Sequence, residues 1–163
     1  PTSNRVVTRS RPTSPDITSS AAVMIRTAGP GDHASVVGVI DGWWGRPLHA
    51  LVQPLFLEHF ADTSLIAEDE RGLAGFLIGF LSQTHPDEAY IHFAGVRPDL
   101  RGAGLGRDLY TEFFRRVRGR GRTVVTCITA PVNTGSIAFH AAMGFAVAMP
   151  VTGETHVRFR REL

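Results

Sequence analysis

The chain has 163 residues, of which 43% are hydrophobic and 20% charged, and its formal net charge at pH 7 is +2. This length can bury the core of one ordinary domain without disulfides or a structural metal. The longest apolar run, Leu73 to Leu81, is too short to cross a bilayer, and the net charge is too small to require a nucleic-acid partner. We therefore expect a single globular domain with no membrane or nucleic-acid partner.

Cysteine and histidine give no sign of a disulfide or a metal site. The single cysteine, Cys127, lies in the apolar run 124–128, which predicts a buried strand thiol and not a nucleophile. One unpaired thiol fits a reducing compartment, so the expected location is cytoplasmic. Histidines at positions 33, 59, 85 and 156 show no metal-ligand spacing with carboxylates or cysteine, and no metal is predicted.

The N-terminal segment differs in composition from the rest of the chain. Residues 1 to about 22 are rich in Ser, Thr, Pro and Arg and show no apolar periodicity. This composition predicts a flexible tail. The folded domain is then expected over residues 23–163.

The domain is predicted to begin with a strand and two helices. The strand covers residues 23–27, and after a turn Asp32 can cap a helix that runs to about Asp41. A second helix is predicted to begin near Pro47. Its apolar residues follow helical spacing and are Leu48, Leu51, Val52, Leu55, Phe56 and Phe60.

Three strands are predicted next. Residues 64–68 and 73–83 are predicted as two strands joined by a hairpin whose turn contains residues 69–72. Residues 88–96 form the third strand, which Pro98 closes because proline cannot extend a hydrogen-bonded ladder.

The C-terminal part is predicted to alternate between helices and strands. A helix over 104–118 has apolar residues every four positions, namely Leu105, Leu109, Phe113 and Val117. A strand over 123–130, a helix over 134–143 and strands over 145–149 and 155–160 complete the domain. The order of elements indicates an α/β domain with a mixed sheet.

A glycine-rich loop joins the strand 88–96 to the helix that follows it. It consists of Arg101, Gly102, Ala103, Gly104, Leu105 and Gly106. Backbone N–H groups at a helix start bind anions, and glycines let phosphates approach them. The dinucleotide fingerprint G-x-G-x-x-G fails because Arg107 stands in place of its third glycine. On these residues alone, a phosphate site and a tight turn without a ligand are equally well supported.

Two motifs together resemble the signatures of the GNAT superfamily of N-acetyltransferases. The first reads Val96-x-Pro98-x-x-Arg101-x-x-Gly104-x-Gly106. The second starts at Asn133 and continues through a helix that ends in Gly144-Phe145. Motif-level similarity covers residues 88–145. The resemblance implies a single-domain GNAT-like α/β fold, with a mixed central sheet of about seven strands flanked by about four helices.

The resemblance also implies acetyl-CoA as cosubstrate. In this superfamily the strand before the loop splays from its neighbour, so that the backbone of Val96 would bond the pantetheine arm. The amides of residues 101–106 would hold the pyrophosphate, and Asn133 would bond the pantetheine. Arg101 and Arg107 are further phosphate candidates, although a solvated or purely structural role is equally open for both.

The candidate catalytic base is His92. Period-two alternation places Tyr90, His92, Ala94 and Val96 on one face of the predicted strand. Tyr90 and His92 match positions at which members of the superfamily draw a proton from the amine through water, and imidazole titrates near neutral pH. The alternative is a partly buried histidine satisfied by a backbone carbonyl.

The departing thiolate needs a proton or a hydrogen-bond donor, and many relatives place a tyrosine in the second motif for this purpose. Here that position is His140. His140 would donate as imidazolium, or would pack against pantetheine as a neutral ring. A backbone N–H near Val96 is the expected group to polarise the thioester carbonyl.

The superfamily builds its acceptor site between the first two helices, where Trp43, Trp44 and His49 lie. Neighbouring residues on a helix point about 100° apart, so one tryptophan is expected to line the acceptor site. Core packing of both tryptophans is the alternative.

The sequence thus predicts an N-acetyltransferase that moves an acetyl group from acetyl-CoA to a primary amine, by direct attack in a ternary complex. A small-molecule acceptor is favoured. A peptide or protein amine and a non-catalytic acyl-CoA-binding module are the alternatives, and a homodimer remains open. An arginine-rich stretch near the end of the helix 104–118 leaves nucleic-acid binding as the last alternative.

Overall fold

The computed structural model describes residues 22–163, which form one seven-stranded mixed sheet with four α-helices. The strands are β1 Met24–Thr27, β2 Leu65–Asp69, β3 Gly72–Leu81, β4 Glu88–Val96, β5 Val124–Thr129, β6 Ala146–Ala148 and β7 Val157–Glu162. The helices are α1 His33–Trp44, α2 Pro54–His59, α3 Leu105–Arg118 and α4 Thr134–Ala142. The predicted fold class is confirmed. The predicted tail lies outside the described residues except for residue 22, and it stays a prediction.

The sheet has the order β1-β2-β3-β4-β5-β7-β6. Among the described strands, β4 and β5 form the parallel pair and the other neighbours are antiparallel. The parallel pair requires a crossover, which α3 supplies. The end of β4 and the start of α3 therefore lie at the middle of the sheet, and the loop between them has strands on both sides.

Two apolar cores lie on opposite faces of the sheet. On one face, the α3 residues with four-residue spacing are all buried: Leu105, Leu109, Phe113 and Val117. On the other face, Val36, Ile40 and Leu57 of α1 and α2 pack against Phe76 and Ile78 of β3. Each helix thus covers the sheet with the stripe that its periodicity provides. No helix within residues 22–163 combines the length and apolar composition needed to span a bilayer.

The predicted second helix is wrong in its extent. A 3₁₀ helix, His49–Leu51, comes first, and α2 begins at Pro54 because proline fits the first turn of a helix but not its interior. The predicted stripe is accordingly only partly buried. Leu51 is 49% exposed and Leu55 is 45% exposed, whereas Leu57, which lay outside the stripe, is buried.

The first helix is longer than predicted. It continues past Asp41 to Trp44 and ends where Gly45 takes the left-handed conformation, with φ 67°. The carboxylate of Asp41 accepts hydrogen bonds from the backbone N–H groups of Leu48 and His49. Asp41 is therefore not the last residue of the helix. Its side chain holds the segment 48–49 that follows the helix.

Candidate active site

The sheet opens between β4 and β5. β4 pairs with β5 only over residues 88–90, yet it continues along β3 as far as Val96. β5 meanwhile stays paired with β7 as far as Thr129. Backbone groups of β4 after Tyr90 are therefore left without a strand neighbour on one side, as the splay expected from the resemblance requires.

A groove of about 800 Å³ fills this opening, and we call it the central groove. Its lining includes His92, Val96, Gly104, Arg107, Tyr110 and His140. The edge of β4 forms one wall, and β5, the N-terminal half of α3 and helix α4 form the other. A long, thin ligand could lie along the strand edge with its far end at the start of α3.

The glycine loop, residues 101–106, points open N–H groups at the groove. Gly102 and Gly104 have φ of 79° and 95°, a conformation in which a side chain would be strained. Within residues 22–163, the N–H groups of Gly102, Gly104 and residues 105–107 have no hydrogen-bond partner. The loop therefore has the open backbone donors found at helix starts that bind anions, and the expected pyrophosphate contact stays a prediction.

Ion pairs hold the entry to this loop in place. The Arg97 guanidinium bonds the carboxylate of Asp69 and donates from Nε to Asp99 over 2.8 Å. Asp99 also accepts from Arg71 over 2.7 Å. The Arg97 guanidinium holds the pKa of Asp69 below its usual value, and it does the same for Asp99. Sequence reasoning did not find this anchor, because Asp69 and Arg97 lie far apart in the chain.

The two arginines of the loop region have different surroundings. Arg101 donates from Nε to the Val96 carbonyl over 3.1 Å and from Nη2 to the Trp43 carbonyl over 2.7 Å. Arg107 lies exposed in the first turn of α3 and lines the groove. Within the described part of the chain it has no ion-pair partner.

β4 contains a β-bulge at His92, which corrects one prediction. Ile78 and Gly79 are adjacent on β3 but pair with Phe93 and Ile91, so His92 is the extra residue. A bulge shifts the alternation of side chains by one residue. The prediction that His92 shares a face with Ala94 and Val96 is therefore wrong.

The side-chain contacts follow this shift. Tyr90 stacks on Phe80 and His92 on Phe56, both on the α1–α2 side of the sheet. Ala94 and Val96 pack instead with the core that contains α3. The bulge thus places the side chain of His92 on the α1–α2 face of the sheet, whereas Ala94 and Val96 lie on the α3 face.

His92 is held by two contacts. Its Nε2–H donates to the Leu51 carbonyl over 2.6 Å, and its ring is parallel to Phe56 with centroids 3.9 Å apart. A carbonyl only accepts, so Nε2 carries the proton in the neutral ring and Nδ1 has the free lone pair. His92 therefore makes the bond to a backbone carbonyl that was expected for a purely structural histidine. Its side chain also lines the groove, and its Nδ1 has a free lone pair.

Tyr90 does not join His92 in the groove. It lies against Phe80 and is absent from the groove lining. Burial raises the pKa of the Tyr90 phenol, which keeps it protonated and leaves less phenolate to accept a proton. Its part in proton transfer remains a prediction that this geometry does not favour.

His140 is buried and fully hydrogen-bonded. Its Nδ1 lies 2.7 Å from the Ser136 carbonyl, to which it donates, and its Nε2 lies 3.0 Å from the Tyr110 hydroxyl. Burial lowers the pKa of His140, an effect that the bond to Ser136 only partly opposes. His140 is therefore neutral, with Tyr110 O–H donating to Nε2.

Tyr110 is a polar residue of the groove that sequence reasoning missed. It lies on α3 within the buried stripe, between Leu109 and Phe113, and it is 5% exposed. Burial raises the pKa of its phenol well above the usual value, so it is a hydrogen-bond donor and not a phenolate. A hydroxyl inside an otherwise apolar helix stripe was the available signal, since a buried phenol needs a partner.

Asn133 caps α4. Its Oδ1 accepts from the N–H of Ser136 over 3.3 Å, and its Nδ2 donates to Thr129 Oγ1 over 3.1 Å. The residue also lines the central groove. The expected bond to pantetheine stays a prediction.

The three candidate acceptor residues are not brought together. Trp44 lines the groove and lies against Gly95 of β4, whereas Trp43 packs on Phe76. His49 is exposed, donates from Nδ1 to Asp41 over 2.7 Å and does not line the groove. Both tryptophans belong to α1 and not to the connection between the helices. Among these three residues, only Trp44 is positioned to meet a ligand in the groove.

The described residues also bear on the predicted thiol and on metal binding. Cys127 is 4% exposed, and burial raises its pKa to about 12, which agrees with the predicted buried thiol. Within residues 22–163, no group of three His, Cys, Asp or Glu side chains is arranged to hold a metal ion.

The family of the chain follows from a direct comparison. The model of the Acetyltransferase (GNAT) family matches residues 35–145, which include most of α1, the glycine loop and α4. The chain belongs to this family, and the resemblance inferred from its two motifs is confirmed.

Curated relatives match part of the chain. An L-2,4-diaminobutyric acid acetyltransferase from Nocardia farcinica is 34% identical over 89 residues, covering 55% of this chain and 46% of that protein. A mycothiol acetyltransferase from Streptomyces coelicolor is 33% identical over 91 residues, covering 54% and 28%. An L-methionine sulfoximine/L-methionine sulfone acetyltransferase from Pseudomonas aeruginosa is 32% identical over 103 residues, covering 58% of each. The chain spans about half the length, or less, of these relatives.

Solved structures share the fold. A diaminobutyrate acetyltransferase from Paenibacillus lautus, in complex with L-2,4-diaminobutyric acid and coenzyme A, superposes with a TM-score of 0.70. Its identity is 20%, over 87% of this chain and 95% of that one. An acetyltransferase structure of this family from Desulfovibrio desulfuricans gives a TM-score of 0.74 at 22% identity, over 86% and 99%. At this level of identity the likeness establishes the fold.

Proposed function

We propose that this protein transfers the acetyl group of acetyl-CoA to a primary amine of a small molecule, by direct attack in a ternary complex. The observation that carries the proposal is the central groove, in which an unpaired strand edge leads to the open N–H groups of the glycine loop. The first can bond an extended amide chain and the second a pyrophosphate, which are successive parts of coenzyme A.

The groove residues fit this cosubstrate. The N–H groups of Gly102, Gly104 and residues 105–107 would hold the pyrophosphate, with Arg107 as the nearby charged donor. The free edge of β4 near Val96 would bond the pantetheine amides, and Asn133 lies across the groove from it. A backbone N–H at this edge would polarise the thioester carbonyl.

His92 is the proposed base. The amine nitrogen attacks the thioester carbon, the carbon–sulfur bond breaks, and the proton that the amine loses passes through water to His92 Nδ1. The Nε2–H bond to Leu51 places the proton of the neutral ring on Nε2, leaves the lone pair on Nδ1, and fixes the ring plane. Proton transfer by a positioned side chain of this kind contributes about 10²- to 10⁴-fold to the rate.

Tyr110 and His140 form the polar part of the groove floor. Because the Nδ1–H of His140 is bound to Ser136, the proton that can be redirected is that of the Tyr110 hydroxyl. A hydrogen bond from this hydroxyl would stabilise the departing thiolate, which then takes a proton from solvent. This assigns to His140 the role of orienting the Tyr110 hydroxyl until the thiolate forms and takes over its hydrogen bond, in place of direct donation as an imidazolium.

The acceptor is proposed to be a small amine because the curated relatives are named for small amino compounds. A cytoplasmic location is proposed with it, which the single unpaired, buried Cys127 supports. A peptide amine is the nearest variant and is one arm of the test below.

The test measures the release of CoA thiol from acetyl-CoA with a panel of amines. The panel contains L-2,4-diaminobutyric acid, L-methionine sulfoximine and a peptide with a free amino terminus. Wild-type protein is compared with His92→Ala and with His156→Ala, which removes an exposed histidine outside the groove lining. We expect turnover of one amine class, a fall in kcat of about 10²-fold in His92→Ala, and no change in His156→Ala.

Binding of CoA to each variant, measured by calorimetry, separates catalysis from cosubstrate binding. We expect His92→Ala to bind CoA as the wild type does. Tight CoA binding without turnover of any amine would contradict the proposal and support a non-catalytic acyl-CoA-binding module.

A further inference from the structure

Arg101 joins three parts of the molecule. Its Nε donates to the carbonyl of Val96 at the end of β4, and its Nη2 donates to the carbonyl of Trp43 in the last turn of α1. Its guanidinium carbon lies 5.8 Å from the ring centroid of Trp44. The side chain of Arg101 thus extends from the glycine loop to the end of α1, on the face of the sheet that α1 and α2 cover.

The Trp43 carbonyl is a site at which a cation is stabilising. The last four carbonyls of an α-helix lack partners within the helix, and the helix dipole places partial negative charge there. α1 ends at Trp44, and Gly45 closes it by donating to the carbonyl of Asp41. Arg101 therefore caps one of the remaining carbonyls of α1 and places its charge at the negative end of that helix.

The Val96 carbonyl faces the central groove. In a trans peptide the C=O and the following N–H point in opposite directions. The N–H of Arg97 donates to Ala74 on β3, over 2.9 Å, so the Val96 carbonyl points away from β3. Arg101 therefore fixes the free edge of β4 at the position expected to bond pantetheine.

The end of α1 is linked in turn to His92. Asp41, in the same last turn, accepts from the N–H of Leu48 and, through both its oxygens, from the backbone and Nδ1 of His49. These bonds hold the 3₁₀ helix His49–Leu51, whose last carbonyl accepts from His92 Nε2. Hydrogen bonds joined by short backbone segments thus link the glycine loop to the proposed base.

We infer that Arg101 is a positioning residue, which joins the glycine loop and the end of β4 to the end of α1 and does not bind the pyrophosphate. Arg107, which is exposed and has no ion-pair partner among the described residues, supplies the side-chain charge for the phosphates. The effect that we expect of Arg101 on the acceptor KM rests on the proposed function. The division of roles between the two arginines can be measured without turnover.

The experiment compares Arg101→Met with Arg107→Met. Trp43 and Trp44 are the two tryptophans of the chain; Arg101 bonds the backbone carbonyl of the first and lies near the ring of the second, so tryptophan emission reports on the surroundings of Arg101. For Arg101→Met we expect red-shifted emission and easier acrylamide quenching in the free protein, with the Kd for CoA changed less than about threefold. For Arg107→Met we expect unchanged emission and a Kd for CoA raised about tenfold or more, because a charge-assisted hydrogen bond is lost.

Pantetheine, which lacks the pyrophosphate, is the matched ligand. Its Kd should be unchanged in Arg107→Met. With an acceptor that the wild type turns over, Arg101→Met should raise the acceptor KM about tenfold, and Arg101→Lys should recover part of this loss because lysine can still reach one carbonyl.

Two results would overturn the inference. One is a large loss of CoA affinity in Arg101→Met, with pantetheine affinity and tryptophan emission unchanged, since Arg101 would then bind the pyrophosphate itself. The other is altered emission with an unchanged acceptor KM, which would limit Arg101 to a structural role. If no acceptor is turned over, the proposed function fails, while emission and CoA affinity still decide between the two arginines.

Discussion

The imidazole of His92 lies flat on the phenyl ring of Phe56, with centroids 3.9 Å apart and 8° between the planes. Its other contact is the carbonyl of Leu51, 2.6 Å from Nε2. Both contacts come from the segment between the end of α1 and the end of α2. The orientation of the proposed base is therefore set by this segment on the α1–α2 face of the sheet, together with the bulge in its own strand.

Replacing Phe56 should consequently reduce catalysis without affecting the cosubstrate. In Phe56→Leu the stacked face is lost, while a hydrogen bond of neutral groups, worth only about 1 kcal/mol, remains to hold the ring. We expect kcat to fall about tenfold and the Kd for CoA to stay unchanged. Steady-state kinetics and calorimetry provide both quantities.

The neighbouring residue offers the control for this change. Leu55 is on the same helix turn and is 45% exposed, so Leu55→Ala should leave kcat close to that of the wild type. Equal losses of kcat in the two variants would mean that α2, and not the stacked ring, is what matters.

The buried His140 should make folding stability depend on pH. Burial lowers its pKa below the usual 6.5, so the unfolded chain binds a proton at a higher pH than the folded protein does. Stability therefore falls as pH is lowered through about 6.5 towards the lower pKa of the folded state. In His140→Gln, which cannot titrate, this part of the pH dependence should disappear.

The measurement is the thermal unfolding midpoint of both proteins between pH 8 and pH 5. The other six histidines are common to both, so the difference between the two curves isolates His140. A difference that stays constant with pH would mean that His140 titrates alike in the folded and unfolded chains.

Much of the fold was predictable because its signals are local. α3 follows a four-residue apolar spacing, and β4 is bounded by residues that cannot continue a strand, so both lie where the sequence placed them. The glycine loop was predictable for the same reason, since its glycines are adjacent in sequence and two of them need positive φ. Such features depend on few residues at fixed spacing.

The contacts that orient the site were not predictable in this way. The bulge at His92 arises from pairing with β3, and strict alternation along β4 therefore placed Ala94 and Val96 on the wrong face. The link between Arg101 and Trp43 joins residues 58 positions apart. Such contacts are decided by how the elements pack, for which a single sequence carries no local signal.

Gly95 is required by the close approach of Trp44. A Cβ at this position would lie 2.2 Å from Trp44 Cη2 and 3.1 Å from Phe76 Cε1. Gly95→Ala should therefore displace the indole and lower the free energy of unfolding by about 1–3 kcal/mol, as overpacking does in other cores. Denaturant unfolding followed by tryptophan emission measures both effects.

Gly42 is the matched control, because it lies on α1 and a Cβ there would meet nothing within 4 Å. Gly42→Ala should raise the free energy of unfolding by about 0.5–1 kcal/mol, since alanine is the better helix former. If Gly95→Ala is as stable as Gly42→Ala, Trp44 does not pack on β4 as described.

The last prediction concerns the anchor of the glycine loop. Arg97 begins the turn that leads into the loop, and Asp69 holds its guanidinium from the hairpin between β2 and β3. Asp69→Asn removes the charge without changing the size of the side chain. The loop N–H groups should then be less well ordered before CoA binds, because their orientation is no longer fixed in advance.

We expect Asp69→Asn to raise the Kd for CoA about fivefold, although Asp69 does not line the groove, while pantetheine affinity stays the same. Glu70→Gln is the control, since Glu70 is the exposed neighbour of Asp69 and makes no ion pair among the described residues. The two substitutions remove the same charge from the same turn, so long-range electrostatics affect both alike. A loss of CoA affinity confined to Asp69→Asn therefore assigns the effect to the Arg97 anchor, whereas equal losses would assign it to the charge of the turn.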